Sequence, residues 1–255
     1  MLGKISIKTQ EDINIMAEGG RKLGRIKKAL MDAVKIGGNA YEVEELANKL
    51  IAKEGAEASF KMVPGYKWAT CINVNDGLVH GIPGKDVVFK KGDVVSLDVG
   101  IFYKGFHTDT SDTKGLEVDE DTANFLETGH SALKTAIAEV KSGRRIYDIS
   151  EAVEKTVRKA GYSPIEALVG HGVGRELHEG PPIPCFVRFS RESTPEIIPG
   201  MVLAIEVMYA QGEPDVEVAD NGWTIRMRDG KISALYEETV AVTPNGPLVL
   251  TEAKS

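Results

Sequence analysis

The strongest constraint on this chain is that part of it occurs twice. Sliding the sequence by 106 residues lays 34–55 on 140–161 without a gap, and eight of the 22 pairs are identical. Ordinary composition would give about one or two matches. The identical pairs are Val34/Val140, Lys35/Lys141, Gly37/Gly143, Tyr41/Tyr147, Glu45/Glu151, Lys49/Lys155, Lys53/Lys159 and Gly55/Gly161. One unit used twice predicts two similar halves, about 1–115 and 116–255, related by a pseudo-two-fold. The competing account is two unrelated helices with similar caps.

Apolar periodicity fills in the repeat. Thr9 can cap a helix with Glu11 and Asp12 in its first turn, and Ile13, Met16, Gly20, Leu23, Ile26 and Leu30 then form one face. Asn39 with Glu42 reads as a capping box before Val43, Leu46, Leu50 and Ile51, and Gly55 ends that helix. In the second half Phe125, Leu133, Ile137 and Val140 mark a long helix ending near Gly143. Asp148 with Glu151 marks the start of the next, which carries Ile149, Val153 and Val157 as far as Gly161. Strand-like sequence follows each pair, at 69–75, 93–102 and 106–111, then at 201–209, 222–228 and 232–242. The stretches 61–68, 76–92 and 179–200 read as irregular, the last holding five prolines. The expected fold class is α+β, a curved antiparallel sheet with helices on its outer face and a site in its concavity.

Charge and cysteine content narrow the function. The net charge of −7 argues against a nucleic-acid or anionic-membrane binder, which would need clustered Lys and Arg. Cys71 and Cys185 are too few for a disulfide scaffold or a cysteine-ligated zinc site, and they fit a reducing compartment. The start, Met1 to Lys8, lacks the apolar core of a secretory signal, and no run approaches the ~20 apolar residues of a membrane span. The expectation is a cytoplasmic chain.

Chemistry-bearing residues sit where strands are expected. In 93–102, Val95, Leu97, Val99 and Ile101 share one face, and Asp98 lies on the other. If the turn after this strand holds two residues, Asp98 and Asp109 share one sheet face, whereas a three-residue turn without a bulge would separate them. They are directly opposite if the turn is Tyr103-Lys104 and diagonal if it is Lys104-Gly105. Converging aspartates repel unless protonated or metal-bound; a solvated polar face is the bland reading. Glu206 interrupts the apolar run Met201–Tyr209, where an unpaired carboxylate is costly unless the strand lies at an exposed edge. Glu237 and Glu238 must point to opposite faces, and spacing does not choose between them.

His171 lies in Gly170-His171-Gly172-Val173-Gly174, where alternate glycines permit close backbone approach. That stretch lacks the spacing of a phosphate loop. His80 and His178 are further candidates, though any one histidine alone reads as packing or surface. Four strand carboxylates plus a histidine form the mixed donor set suited to two divalent transition metals, and so to metal-assisted hydrolysis.

At these residues the chain resembles the type I methionine aminopeptidases. The motifs run in family order: Val79-His80-Gly81-Ile82-Pro83, Ser96-Leu97-Asp98-Val99-Gly100, His107-Thr108-Asp109-Thr110, Gly170-His171-Gly172-Val173-Gly174, Leu177-His178-Glu179, Ile205-Glu206 and Tyr236-Glu237. The resemblance covers nearly the whole chain and implies the pita-bread fold, with pseudo-two-fold halves in a single catalytic domain, 1–255. It implies that Asp98 binds one metal, His171 and Glu206 the other, and that Asp109 and Glu237 bridge them, which favours Glu237 over Glu238. Glu206 would also shuttle protons, His178 would hydrogen-bond the scissile carbonyl, and His80 would assist at the scissile nitrogen. By position the methionine pocket would include Phe60, Val63, Tyr66, Cys71, Leu177 and Trp223, with Cys71 a wall and not a nucleophile.

The cofactors implied are two divalent ions, from among Co, Mn, Fe, Zn and Ni, which spacing does not separate. The implied partners are nascent polypeptide N-termini and, transiently, the ribosome, with no specific nucleic acid or membrane, and the chain is expected to be a monomer. Four positions depart from common family usage: Val207 stands where Pro is frequent, Glu238 where His is frequent, Leu177 where an aromatic is, and Phe60 where a small residue or Cys is. The alternatives are a weak or inactive binding module of the same fold, or an aminopeptidase of different N-terminal specificity. Proline-type relatives usually carry a large extra domain for which 255 residues leave no room. A dimetal phosphoesterase would need a basic cluster, and type II relatives carry an insertion not seen here.

Overall fold

The computed structural model describes residues 4–252; residues 1–3, where the leader reading begins, and 253–255 lie outside the description. Helix α1 (Gln10–Ala33) starts at a capping box: Thr9 Oγ1 accepts the Asp12 N–H at 3.2 Å, and Asp12 Oδ2 accepts the Thr9 N–H at 2.9 Å. The predicted stripe from Ile13 to Leu30 is buried, and Lys27 is buried within it. Helix α2 (Ala40–Lys53) starts at the expected Asn39–Glu42 box. Then come β1 (Glu57–Ala58), a 3-10 turn at Ser59–Met62, β2 (Thr70–Val74), β3 (Gly77–Val79), β4 (Val94–Tyr103) and β5 (Phe106–Gly115).

The second half opens with α3 (Glu120–Ala138) and α4 (Ile146–Lys159). It continues through β6 (Ser163–Pro164), β7 (Val169–Gly172), β8 (Glu179–Pro184), β9 (Val202–Ala210), β10 (Val216–Val218), β11 (Ile225–Met227), β12 (Ser233–Thr243) and β13 (Gly246–Val249).

The repeat is visible in the backbone. Helices α2 and α4 have equal length, 14 residues, and lie 106 positions apart. Gly37 and Gly143 turn at φ 86° and 83°, and Gly55 and Gly161 at 67° and 87°, in the left-handed region that suits glycine. Strands β4 and β9 start 108 positions apart, so the interval between helix and strand is two residues longer in the second half. At this offset Asp98 corresponds to Glu206.

Four expectations need correction. The stretch 76–92, read as irregular, holds β3, and α3 ends at Ala138, so Val140 packs beyond the helix instead of on it. Helix α4 begins three residues before the Asp148/Glu151 spacing suggests: Asp148 is the third helical residue, and its Oδ2 accepts the Arg145 N–H at 2.7 Å. Arg145 occupies the place of Asn39, so the side-chain half of the box is missing and only the carboxylate half remains in the sequence. The stretch 179–200 is also not wholly irregular, since β8 occupies its first six residues. As the outermost strand it needs only one ladder of hydrogen bonds, which is why it tolerates Pro181, Pro182 and Pro184.

Ten strands form one antiparallel sheet in the order β1-β4-β5-β12-β9-β7-β8, with β2 on β4, β6 on β9 and β13 on β12. A smaller sheet runs β10-β11-β3. Helix α1 packs on β4 and β5 with α2 beside it; α3 packs on β9 and β12 with α4 beside it. Each helix pair covers its own apolar core, one centred on Leu97 and Leu30, the other on Val207 and Phe125. Among the described residues no helix is long and apolar enough to cross a membrane.

Candidate active site

The β4–β5 hairpin turns through Lys104-Gly105, both at positive φ (48° and 88°), as a two-residue type I′ turn requires. This selects the diagonal register: Tyr103 pairs with Phe106, Gly100 with Asp109, and Asp98 with Ser111. The next strand continues the row, since Ser111 also pairs with Glu237, and Glu237 pairs with Glu206. Asp98, Ser111, Glu237 and Glu206 therefore line up across β4, β5, β12 and β9 on one sheet face. Asp109, two residues from Ser111, shares that face. So does His171, which pairs with Ala204 two residues from Glu206. Glu238 points the other way, toward α1, where its Oε1 meets the Lys27 ammonium at 2.6 Å.

One ligand atom each from Asp109, His171 and Glu237 lies within 4.8 Å of the others. His171 Nδ1 donates to the Gly172 carbonyl at 2.8 Å, which fixes the tautomer and leaves the Nε2 lone pair facing Glu206 Oε1 at 3.5 Å. Burial pushes the His171 value down to about 3, so the ring is neutral at physiological pH.

The carboxyls shift oppositely. Desolvation pushes Asp109 up to about 7. Burial, reinforced by neighbouring carboxylates, holds Asp98, Glu206 and Glu237 well above the ordinary range. Asp98 Oδ1 and Glu237 Oε1 are buried with no hydrogen-bond partner. Repelling carboxylates, orphaned oxygens and an imidazole lone pair aimed among them are the environment a multivalent cation satisfies, and the residues fit one.

Above this floor lies a cavity of about 160 Å³. Every site residue expected from the sequence lines it. Phe60, Val63, Tyr66, Cys71, Leu177 and Trp223 make an apolar wall beside the metal-ligand candidates. Tyr66 meets Trp223 edge-on, with ring centroids 5.1 Å apart, and its hydroxyl lies 3.2 Å from Cys71 Sγ. His80 and His178 expose part of their rings at the mouth, and the protein packed around the remainder lowers both below the usual histidine value. His178 packs edge-on against His171 at 4.5 Å. The alternate glycines serve close packing: a Cβ at Gly172 would stand 2.1 Å from the Gly180 carbonyl oxygen, and one at Gly170 would stand 2.7 Å from that of Ala204.

Three residues escaped the sequence reading. Val79 and Leu235 also line the cavity. Leu235 shares the face of Glu237 two residues away, a signal that alternation carries once Glu237 is chosen. Glu44 of α2 is buried and accepts from the Ala69 N–H, the Thr70 N–H and the Thr70 hydroxyl at 2.8, 3.0 and 2.7 Å, pinning the start of β2 beside Cys71. Its place in an ordinary helical pattern gave no hint of this.

A curved antiparallel sheet with a buried carboxylate–imidazole floor beneath an apolar pocket defines a metal-dependent hydrolase. Residues 14–244 match metallopeptidase family M24. The chain belongs to that family and groups within it with proteins named methionine aminopeptidase. That of Clostridium perfringens is 38% identical over 251 residues, covering 98% of this chain and 100% of the relative. Methionine aminopeptidase 1 of Bacillus subtilis is 37% identical, covering 97% and 99%. The crystal structure of the Thermotoga maritima methionine aminopeptidase superposes with a TM-score of 0.94 at 38% identity, covering 97% of this chain and 99% of the other. The Pyrococcus furiosus prolidase shares the pita-bread fold at 24% identity, with a TM-score of 0.77 over 98% of this chain and 66% of its own.

Proposed function

We propose that this protein removes the N-terminal methionine from nascent proteins and peptides whose second residue is small. One observation carries the reading: the buried donor set and the apolar wall line the same cavity. A flexible, unbranched thioether suits that wall, which would leave the scissile peptide over the floor.

In this reading Asp98, Asp109, His171, Glu206 and Glu237 would together hold two divalent ions, Asp98 serving one, His171 and Glu206 the other, and Asp109 and Glu237 both. Two such ions would supply Lewis acidity, activating water at neutral pH and polarising the scissile carbonyl. Manganese, iron, cobalt, zinc and nickel all suit the mixed oxygen and nitrogen donors. Glu206, which must be ionised to hold an ion, would take a proton from the attacking water and pass it toward the leaving amine. His178 donates to the scissile carbonyl oxygen as negative charge develops there, and His80 stands at the scissile nitrogen. The apolar wall fixes the methionine side chain and excludes water from it. The whole chain, 1–255, acts as one catalytic domain, a monomer working on nascent chains in the cytoplasm and meeting the ribosome transiently.

The test is a peptide assay. Purified protein with added Mn(II), Co(II) or Fe(II) should cleave Met-Ala-Ser and spare Met-Lys peptides, with discrimination on the order of 100-fold in kcat/KM. Folded protein that binds Met-Ala-Ser but turns it over with none of these metals would instead be a binding module.

A further inference from the structure

Behind the carboxylate floor, on the opposite face of the sheet, stands a second set of charges. Lys27 sits on the buried stripe of α1 among Leu23, Ile26 and Leu30, where an aliphatic residue would fit the pattern. Its ammonium donates to Glu238 Oε1 at 2.6 Å and to Thr110 Oγ1 at 2.7 Å. The other Glu238 oxygen accepts from the Thr251 hydroxyl. Thr110 and Glu238 pair across the β5–β12 ladder.

The placement is specific. Thr110 directly follows Asp109, and Glu238 directly follows Glu237. The Thr110 hydroxyl donates to the Glu237 carbonyl at 2.8 Å, and its N–H donates to Asp109 Oδ1 at 3.0 Å. One ammonium from α1 therefore ties together the backs of two strands at residues whose neighbours, Asp109 and Glu237, lie diagonally on the front face with ligand atoms within 4.8 Å. An ammonium withdrawn from water among apolar side chains is costly unless its geometry is used. Asp112, two residues along β5, shares the face of Thr110 and lies near enough for its carboxyl to feel the Lys27 charge.

We propose that Lys27 is a positioning residue for the metal site: through Glu238 and Thr110 it sets the spacing of β5 and β12, and with it the spacing of Asp109 and Glu237. The inference rests on reading those two carboxylates as bridging ligands. It also accounts for Glu238 at a position where histidine is frequent in the family.

The experiment compares metal binding in Lys27→Met, Glu238→Gln, Lys27→Arg and the unmodified protein. Each is titrated calorimetrically with Mn(II), and its Co(II) absorption spectrum is recorded as a report of ligand geometry. Lys22→Met, which breaks the α1 ion pair to Glu54 and a contact with Tyr103 at the far end of β4, and touches neither Thr110 nor Glu238, controls for lost stability. Lys27→Met and Glu238→Gln should each weaken Mn(II) binding by about 10-fold and change the Co(II) spectrum. Lys27→Arg should recover part of the affinity, and the control should change neither reading.

Glu238→Gln keeps the hydrogen-bonding shape and serves if Lys27→Met does not fold. Metal affinity and spectrum unchanged in the folded variants, with only the melting temperature lowered, would overturn the positioning role and leave the proposed function standing. Failure of the unmodified protein to bind any divalent metal would overturn both.

Discussion

Glu206 and Glu237 stand directly opposite each other on β9 and β12, with Asp98 and Asp109 on the same sheet face. Without a cation, folding must desolvate these carboxyls side by side, and their mutual repulsion favours protonation. Glu237→Gln removes one of the charges and keeps the shape. It should raise the melting temperature of metal-free protein at pH 8 by about 2–4 °C, the equivalent of roughly 1 kcal/mol, while abolishing turnover and one metal equivalent. Thermal melts and Mn(II) titrations on the same sample decide it; a variant that melts lower and still binds both ions contradicts the ligand assignment.

The pH dependence of metal-free stability follows from opposing groups. A carboxyl whose folded value exceeds its unfolded value of about 4 binds extra protons when folded, so stability falls as pH rises through that interval. Asp109, pushed up to about 7, and its more strongly shifted neighbours all act this way. His171 at about 3 and His107 at about 4 act oppositely, adding stability as pH rises toward the unfolded histidine value of about 6.5. Above pH 7 the histidine contribution is complete, and the slope comes from the carboxyls, joined toward pH 9 by the buried thiols of Cys71 and Cys185. Metal-free protein should melt at progressively lower temperature from pH 7 to pH 9, and saturating Mn(II) should remove the carboxyl part of the decline, which dominates below pH 8. Because ligation requires the ionised carboxylates, Mn(II) affinity should rise over pH 6–8.

What the sequence could and could not reveal divides along physical lines. Caps and apolar stripes are local, so α1 and α2 were legible to the residue at their starts, whereas α4 was displaced once Arg145 replaced the capping side chain. Alternation placed Asp98 and Asp109 on one face. The choice between their two registers depends on the positive φ of Lys104, a backbone property that no side chain dictates. Alternation also split Glu237 from Glu238 without saying which faces the pocket, because that depends on where β12 meets β5 and β9. Strand β8 was hidden because its prolines are tolerated only at a sheet edge, which is a fact of tertiary order. Lys27 belongs to the same class: its burial depends on a partner 211 residues away.

Gly100 pairs with Asp109 across the hairpin. A Cβ there would stand 3.0 Å from Asp109 Oδ1, 3.1 Å from Ser59 Cβ and 3.2 Å from a Phe60 ring carbon. Either the carboxylate or the pocket wall must move. Gly100→Ala should weaken Mn(II) binding by about 10-fold and raise KM for Met-Ala-Ser, with a stability cost of about 1–3 kcal/mol. Equal metal affinity and KM in the variant would show that neither neighbour is held in place by this contact.

Gly129 of α3 lets the helix approach the tyrosine that precedes Glu237. A Cβ would fall 2.1 Å from Tyr236 Cε2 and 2.8 Å from the Tyr209 hydroxyl oxygen. Both rings are fully buried, and both hydroxyls donate to backbone carbonyls of α3, Tyr236 to Leu126 and Tyr209 to Phe125. Alanine would gain about 1 kcal/mol of helix propensity, but the clash should outweigh it. Gly129→Ala is expected to lose about 1–3 kcal/mol net, read as a lowered denaturant midpoint. A rise in the midpoint would mean that the helix slides away from the sheet at little cost.

Cys71 pairs with Asp98 across β2 and β4 and lies in the pocket wall, so a chemical role has to be weighed. Burial pushes its thiol well up, and the nearby Asp98 carboxylate adds to the shift, so the thiolate a nucleophile would need is disfavoured. The Tyr66 hydroxyl at 3.2 Å works the other way, but it does not outweigh desolvation. Cys71 should resist iodoacetamide at neutral pH in the folded protein and react only on unfolding. Cys71→Ala should change kcat by less than about tenfold, since it removes packing and no reacting atom. A loss of turnover as complete as that of Glu237→Gln would assign the thiol a part in the reaction itself.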